Sequence, residues 1–246
     1  MSSEWVGLKI VVYLLFIILT FLSFKLIFNH FRLQPSNERM WVNDNARNAT
    51  AIFDDDSVTI SNVREFNWRS TKHYDEKWEE HTYDLTTVTK VWLTLEYFEP
   101  KYPGMAHTIL SFEFRDGRRI ACSIEVRREV GERYHPFRAL FRQYELLYVW
   151  AIESDVIGVR SRCRKRSTTH LFEAVVLGEG NERKLFESYL KRTNKLSKNP
   201  EWYNSLTNTC STNIMRHVNE IYPRRIPRAF SVLMPGLSPK MLAKKN

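Results

Sequence analysis

Cys210 is surrounded by helix-capping side chains: Asn208, Thr209, Ser211 and Thr212 crowd the start of a helical pattern that places Cys210, Ile214, Val218 and Ile221 on one stripe. A thiol in the first turn of a helix faces unpaired backbone N–H groups and the positive end of the helix dipole, which favour thiolate over thiol. Such a thiolate can attack an ester or amide carbonyl, provided a base within hydrogen-bond reach takes its proton. Histidines at positions 30, 73, 81, 107, 135, 170 and 217 are the candidates. His107 opens a β pattern directly after the Tyr102-Pro103-Gly104 turn, where a side chain stands at the rim of a sheet. His217 lies on nearly the same helical face as Cys210 but roughly 10 Å further along the axis, too far for direct contact. Against the catalytic reading stands the ordinary fate of a free cysteine, a small buried hydrophobe.

The strands around Arg115-Asp116-Gly117 offer a third group. His107 to Phe114 and Arg118 to Val126 are β-rich runs flanking an Asp-Gly turn, which predicts a hairpin. If the loop has three residues with Gly117 left-handed, Phe114 pairs with Arg118 and His107 faces Glu125, whose carboxylate would orient the imidazole. If it has two, Val126 faces His107 and Glu125 is a solvent-face charge. Both registers are open from the residues alone.

These groups need a scaffold. Ser57 to Val63 and Trp92 to Phe98 alternate as half-buried strands do, and Leu140 to Val149 reads equally as helix or strand. Leu185, Phe186, Tyr189, Leu190 and Thr193 share one face of an amphipathic helix, and Asn199-Pro200 suits the N-cap and first position of the helix that follows. The mixture predicts an α+β domain over residues 51–222, preceded by a polar linker at 33–50 and followed by a basic tail at 223–246.

With 43% hydrophobic and 26% charged residues, and only 8 Gly and 9 Pro, the chain is neither collagen-like nor disordered. Its three cysteines are an odd count with no CxxC pair, which suggests neither a disulfide framework nor a closed zinc site. His73, Asp75 and His81 match no metal-ligand spacing, so neither metal nor cofactor is expected. The formal charge of +9 favours anionic surroundings. No helix-turn-helix, zinc-finger or RNP-like motif accompanies the arginines, which argues against nucleic acid. Ile10 to Phe28 is apolar except for Lys25, the length of a membrane span, with no small-residue cleavage site after it. Residues 1–32 are therefore expected to be an uncleaved anchor. The flanking charges do not fix its orientation.

The runs AHTILSFEFRDG, SIEVRRE, FRQYELLYVWAIESDVIGVRSRCRK and WYNSLTNTCST, with Val63-Arg64 and Phe66 upstream, resemble the Lnb N-terminal periplasmic domain family in order over residues 39 to 220. The resemblance implies a permuted papain-like domain of the NlpC/P60 and lecithin:retinol acyltransferase kind, with an antiparallel sheet, a strand-borne His and a helix-borne Cys. His107 before Cys210 matches that order. It implies acyl chemistry on a membrane lipid or lipoprotein at the bilayer, in the periplasm of a bacterial inner-membrane protein, with Cys210 and His107 as catalytic residues, and the three-residue hairpin loop would add Glu125 to them. A cell-wall peptidase or amidase, or a non-catalytic binding module, would use the same fold. Asn208, Thr209 and Ser123 are expected to support substrate or oxyanion, and Arg127 and Arg160 to make structural or anionic-surface contacts. One departure stands out: family members usually carry Asn directly before the cysteine, where this chain has Thr209, which can cap a helix but supplies no amide N–H.

Overall fold

A computed structural model describes residues 3–99, 101–227 and 235–237. Most of the expected basic tail, at 228–234 and 238–246, lies outside the described residues. Helix α1 (Ser3–Arg32) is apolar on every side and exposed along its length. Its segment Trp5–Arg32 is long and apolar enough to cross a membrane, and its most apolar stretch is not buried; only the last turns, at Asn29 and His30, meet the domain. A helix with no polar face gains nothing from packing on a water-soluble core by one side, so this exposure is what a bilayer requires.

The domain is α+β. Among the described residues ten strands follow in chain order: β1 (Thr50–Asp54), β2 (Ser57–Arg64), β3 (Asn67–Trp68), β4 (Tyr74–Asp75), β5 (Trp78–Asp84), β6 (Val88–Tyr97), β7 (Ala106–Phe114), β8 (Arg119–Arg127), β9 (Glu145–Ala151) and β10 (Thr168–Ala174). The main sheet runs β1-β2-β9-β8-β7-β6-β10, with β5 beside β2, and β3 pairs with β4 separately. The expected antiparallel sheet needs one correction: β2 meets β9 in parallel at Arg64 and Ala151, so the sheet is mixed. Between them, Leu140 to Val149 resolves into a 3₁₀ turn (Arg138–Phe141) followed by β9.

The short α2 (Glu153–Val156) leads into a π-helical turn at Val159–Cys163, and α3 (Asn181–Lys198) and α4 (Cys210–Ile221) complete the helices. The face of α3 carrying Leu185, Phe186, Tyr189 and Leu190 is buried in one core with Phe112, Phe114 and Trp150 of the sheet. Phe186 touches Phe112, Phe114 and Trp150 edge-on or tilted, geometry that aromatic quadrupoles favour. The other sheet face packs Ile109, Ala121, Leu147, Val149 and Ala151 under Val156 of α2. Asn199 closes α3 rather than opening α4, its N–H bonded to the Lys195 carbonyl, because α3 runs on to Lys198 and Pro200 cannot extend it. Helix α4 starts ten residues later than Pro200, at Cys210 itself.

Residues 33–50 are not a free linker. Trp41 is buried and stacks under the Arg127 guanidinium at 4.3 Å, while Asn37 Oδ1 and the Asn45 and Ala46 carbonyls accept its hydrogen bonds. Polar composition suggested a tether, but these polar groups are the acceptors that allow Arg127 to be buried.

Candidate active site

The β7–β8 hairpin sets the register of the site. Gly117 has φ 84°, its N–H bonds to the Phe114 carbonyl, and Phe114 N–H bonds to Arg118, which is the three-residue loop. The paired register ends at Ile109 and Ser123, and carried two residues further it puts His107 opposite Glu125, whose carboxylate lies 3.2 Å from His107 Nε2. On the other side of β7, Glu96 of β6 pairs with His107. His107 is thus flanked by a carboxylate on each neighbouring strand.

His107 Nε2 donates to Ser123 Oγ at 2.8 Å, Ser123 donates to Glu125 Oε1 at 2.5 Å, and His107 Nε2 lies 3.2 Å from the same carboxylate. With Nε2 committed, Nδ1 is the nitrogen left for the thiol. Ser123 was expected to support substrate or oxyanion. It is instead wholly buried and links imidazole to carboxylate.

Helix α4 delivers the thiol. Thr209 is its N-cap: Thr209 Oγ1 accepts from the Thr212 N–H, and Thr212 Oγ1 accepts from the Thr209 N–H, a reciprocal capping box. Cys210 is therefore the first helical residue, 7% exposed, with its own N–H among those that no helical carbonyl can reach. Burial alone would raise its pKa, but the charge and hydrogen bond of His107, with the hydroxyl and N–H of Thr108, lower it to about 6. The buried Thr108 hydroxyl has no hydrogen-bond partner among the described residues. Burial alone would lower His107, and the charges of Glu125 and Cys210 raise it to about 9. Glu125 stays well below the usual carboxylate range despite its burial, held there by His107 and Arg160. Each shift favours the charged form of its group, so both act toward a thiolate–imidazolium pair.

Asn208 and Thr209 do not line up as oxyanion donors. The Asn208 amide donates to the Trp202 carbonyl, and its oxygen accepts from Asn213 and Arg216. Thr209 is consumed by the cap. The two residues fix the loop and helix that hold the thiol.

Arg160 and Arg127 are both buried, which removes them from any anionic-surface patch. Arg160 pairs with Glu125, reaches Glu96 at 3.0 Å, and donates to the Val156 carbonyl at 2.5 Å. Arg164 bonds the same Glu96 at 2.8 Å. Arg160 thus neutralises the carboxylates on both sides of His107, and Arg127 holds the 37–46 segment.

Sequence reasoning missed Glu96, Thr108, Tyr134 and Tyr203. Glu96 reads as a polar outward position of an alternating strand, and only its pairing with His107 marks it. A cavity of about 450 Å³ opens beside the thiol, lined by His107, Glu125 and Cys210 together with Trp68, Tyr134 and Tyr203. A second cavity lies at the end of α1 and is lined by neither His107 nor Cys210.

His217 is occupied elsewhere. Its ring lies 4.1 Å from that of Tyr189 and bonds Tyr148 OH and Ser188 Oγ, and burial with the nearby Arg192 and Arg216 lowers its pKa to about 3. His73, Asp75 and His81 are tied to Ser70, Arg69 and Glu65 respectively.

Comparison with curated proteins and with solved structures found no match. A family model does match, over residues 74–235, a stretch that holds His107, Glu125 and Cys210. With a single apolar helix ahead of it, that stretch fits an envelope-associated domain of a single-pass membrane protein, and the chain belongs to the Lnb N-terminal periplasmic domain family.

Proposed function

We propose that this protein is a membrane-anchored thiol acyltransferase or hydrolase of the bacterial inner membrane, with its domain in the periplasm. The observation that carries the reading is the meeting of Cys210 and His107 on one cavity, with Ser123 and Glu125 hydrogen-bonded behind the imidazole and electrostatics that favour thiolate and imidazolium. A buried thiolate is costly unless a cation is placed beside it, and the strands around His107 are arranged to keep that cation charged. A strand-borne His preceding a helix-borne Cys is also the order of a permuted papain-like enzyme.

In the proposed reaction the Cys210 thiolate attacks the carbonyl carbon of an ester or amide, forming a C–S bond and a tetrahedral oxyanion. The Cys210 N–H, at the first position of α4 where no helical carbonyl reaches it, is available to that oxyanion. Collapse breaks the bond to the leaving alcohol or amine, which takes the proton from His107 Nδ1. Neutral His107 then accepts a proton from the incoming amine or water. That nucleophile displaces the thioester and regenerates thiolate and imidazolium. Glu125 remains ionised throughout and stabilises the imidazolium, the role of a triad's third member. A lipoprotein or membrane lipid is the substrate class in reach of an anchored domain.

The test is covalent. Full-length protein in detergent, incubated with a p-nitrophenyl ester, is expected to release nitrophenolate and to carry an acyl mass adduct on Cys210 that hydroxylamine removes. Cys210→Ala abolishes both. If the parent forms no adduct and Cys210 reacts with iodoacetamide at pH 6.5 no faster than an ordinary thiol, the domain is a binding module that kept the fold.

A further inference from the structure

We propose that the cavity between the end of α1 and the loop preceding Cys210 is a binding site for the phosphate-bearing headgroup of an anionic phospholipid. The cavity has a volume of about 580 Å³. Its lining combines apolar residues of the anchor and the turn it rests on, chiefly Leu26, Ile27, Phe31 and Phe141, with Trp202, Arg142 and Arg216. The inference concerns how the anchored domain meets its bilayer and stands independently of the thiol chemistry.

Both arginines lack an acidic partner among the described residues. Arg216 donates only to neutral oxygens, those of Asn208, Asn213 and Thr207. Arg142 donates to the His30 carbonyl at 2.9 Å and contacts the His30 ring. The one carboxylate in the lining, Glu201, is already bridged by Arg192 at 2.6 Å and 2.7 Å. Two guanidinium charges therefore face the cavity without a counter-ion, a demand that an oxyanion satisfies through paired N–H donors.

Backbone geometry points the same way. Arg142 has φ 55°, in the left-handed region that long side chains seldom adopt, and that conformation is held where the domain grips the anchor. Asn29 Nδ2 donates to the Phe141 carbonyl at 2.8 Å, and Lys25 Nζ lies over the Phe141 ring. This junction is at the end of the membrane-spanning helix, the level at which headgroups lie. The apolar residues of the anchor would flank the first carbons of an acyl chain, whereas a free phosphate has no use for them. A lipid headgroup rather than a soluble anion is therefore the occupant.

The experiment is native mass spectrometry of the full chain in detergent micelles, titrated with phosphatidylglycerol or phosphatidylcholine. Phosphatidylglycerol is expected to remain bound at several-fold higher occupancy than phosphatidylcholine. In Arg142→Gln with Arg216→Gln that preference is expected to disappear. In Lys184→Gln with Lys195→Gln, which removes the same charge from exposed positions of α3, it is expected to persist. Arg216 also braces the 207–208 loop, so Arg142→Gln alone, confirmed as folded by its melting curve, is expected to lose at least half of the preference. Equal occupancy by the two lipids, or an equal loss in the lysine pair, overturns the site. Displacement of phosphatidylglycerol by a tenfold excess of inorganic phosphate overturns its assignment to a lipid.

Discussion

Replacing Glu125 by Gln tests whether the carboxylate on β8 sets the charge state of His107. At 3.2 Å, with an effective dielectric constant of roughly 20, the attraction between the two is about 5 kcal/mol before desolvation is counted. The rise of His107 from 6.5 to about 9 corresponds to about 3 kcal/mol net. That remainder is what Glu125 and the thiolate supply after burial has opposed them. In Glu125→Gln the side-chain amide keeps an acceptor for Ser123 but carries no charge, and Arg160 is left beside the imidazolium with only Glu96 to balance it. At least half of the net rise should vanish, bringing His107 down by about one pH unit or more. The sign is definite: loss of an anion destabilises imidazolium, so the upper limit of the ion-pair window moves down. Thiolate absorbance at 240 nm, taken as the difference from Cys210→Ala, and the imidazole NMR shifts of His107 report the two limits separately. In the parent they should fall near pH 6 and pH 9. An unchanged His107 midpoint in Glu125→Gln would refute the argument and leave the thiolate alone responsible for the imidazolium.

Further outcomes follow from the same structure. His217→Ala should leave the pH profile of Cys210 alkylation unchanged while lowering stability by about 2–3 kcal/mol in urea titrations, because Tyr148 and Ser188 lose buried partners. Chains starting at residue 34 should unfold cooperatively. Chains starting at residue 50 should lose about 3–5 kcal/mol or aggregate, since Arg127 is left buried without its acceptors at 37, 45 and 46. Glu145 is buried, its pKa raised from 4.5 to about 7 by desolvation against the opposing Ser36 N–H and Arg39. The folded state therefore holds that proton more tightly, and the group's contribution to stability falls as pH rises from about 4.5 to about 7. Glu145→Gln should flatten that slope in thermal melts and exceed the parent in stability at pH 8.

Much of this molecule is legible in one dimension because the governing physics is local. An apolar run the length of a bilayer, a Gly-closed turn between β-rich runs, the apolar stripe of α3 and a cluster of capping residues around Cys210 each act within a few residues. They predict the anchor, the hairpin, the buried helix face and the thiol at the head of α4. Even the pairing of His107 with Glu125 was one of only two registers that the hairpin allowed.

Tertiary structure decided what burial does to charge. Glu96, Arg127 and Arg160 have the composition of a solvated surface, and nothing in their neighbours along the chain says otherwise. Strand order brings Glu96 and Glu125 to either side of His107, and the turn after α2 inserts Arg160 between them. Ser123 and Asn208 likewise changed role, from oxyanion support to a link and a brace, because their partners lie on other elements. A carboxylate's or guanidinium's energy depends on which charges lie within a few ångströms in low dielectric. That neighbourhood is a property of the packed sheet, so the candidate catalytic residues could be named from the sequence while the network that keeps His107 charged could not.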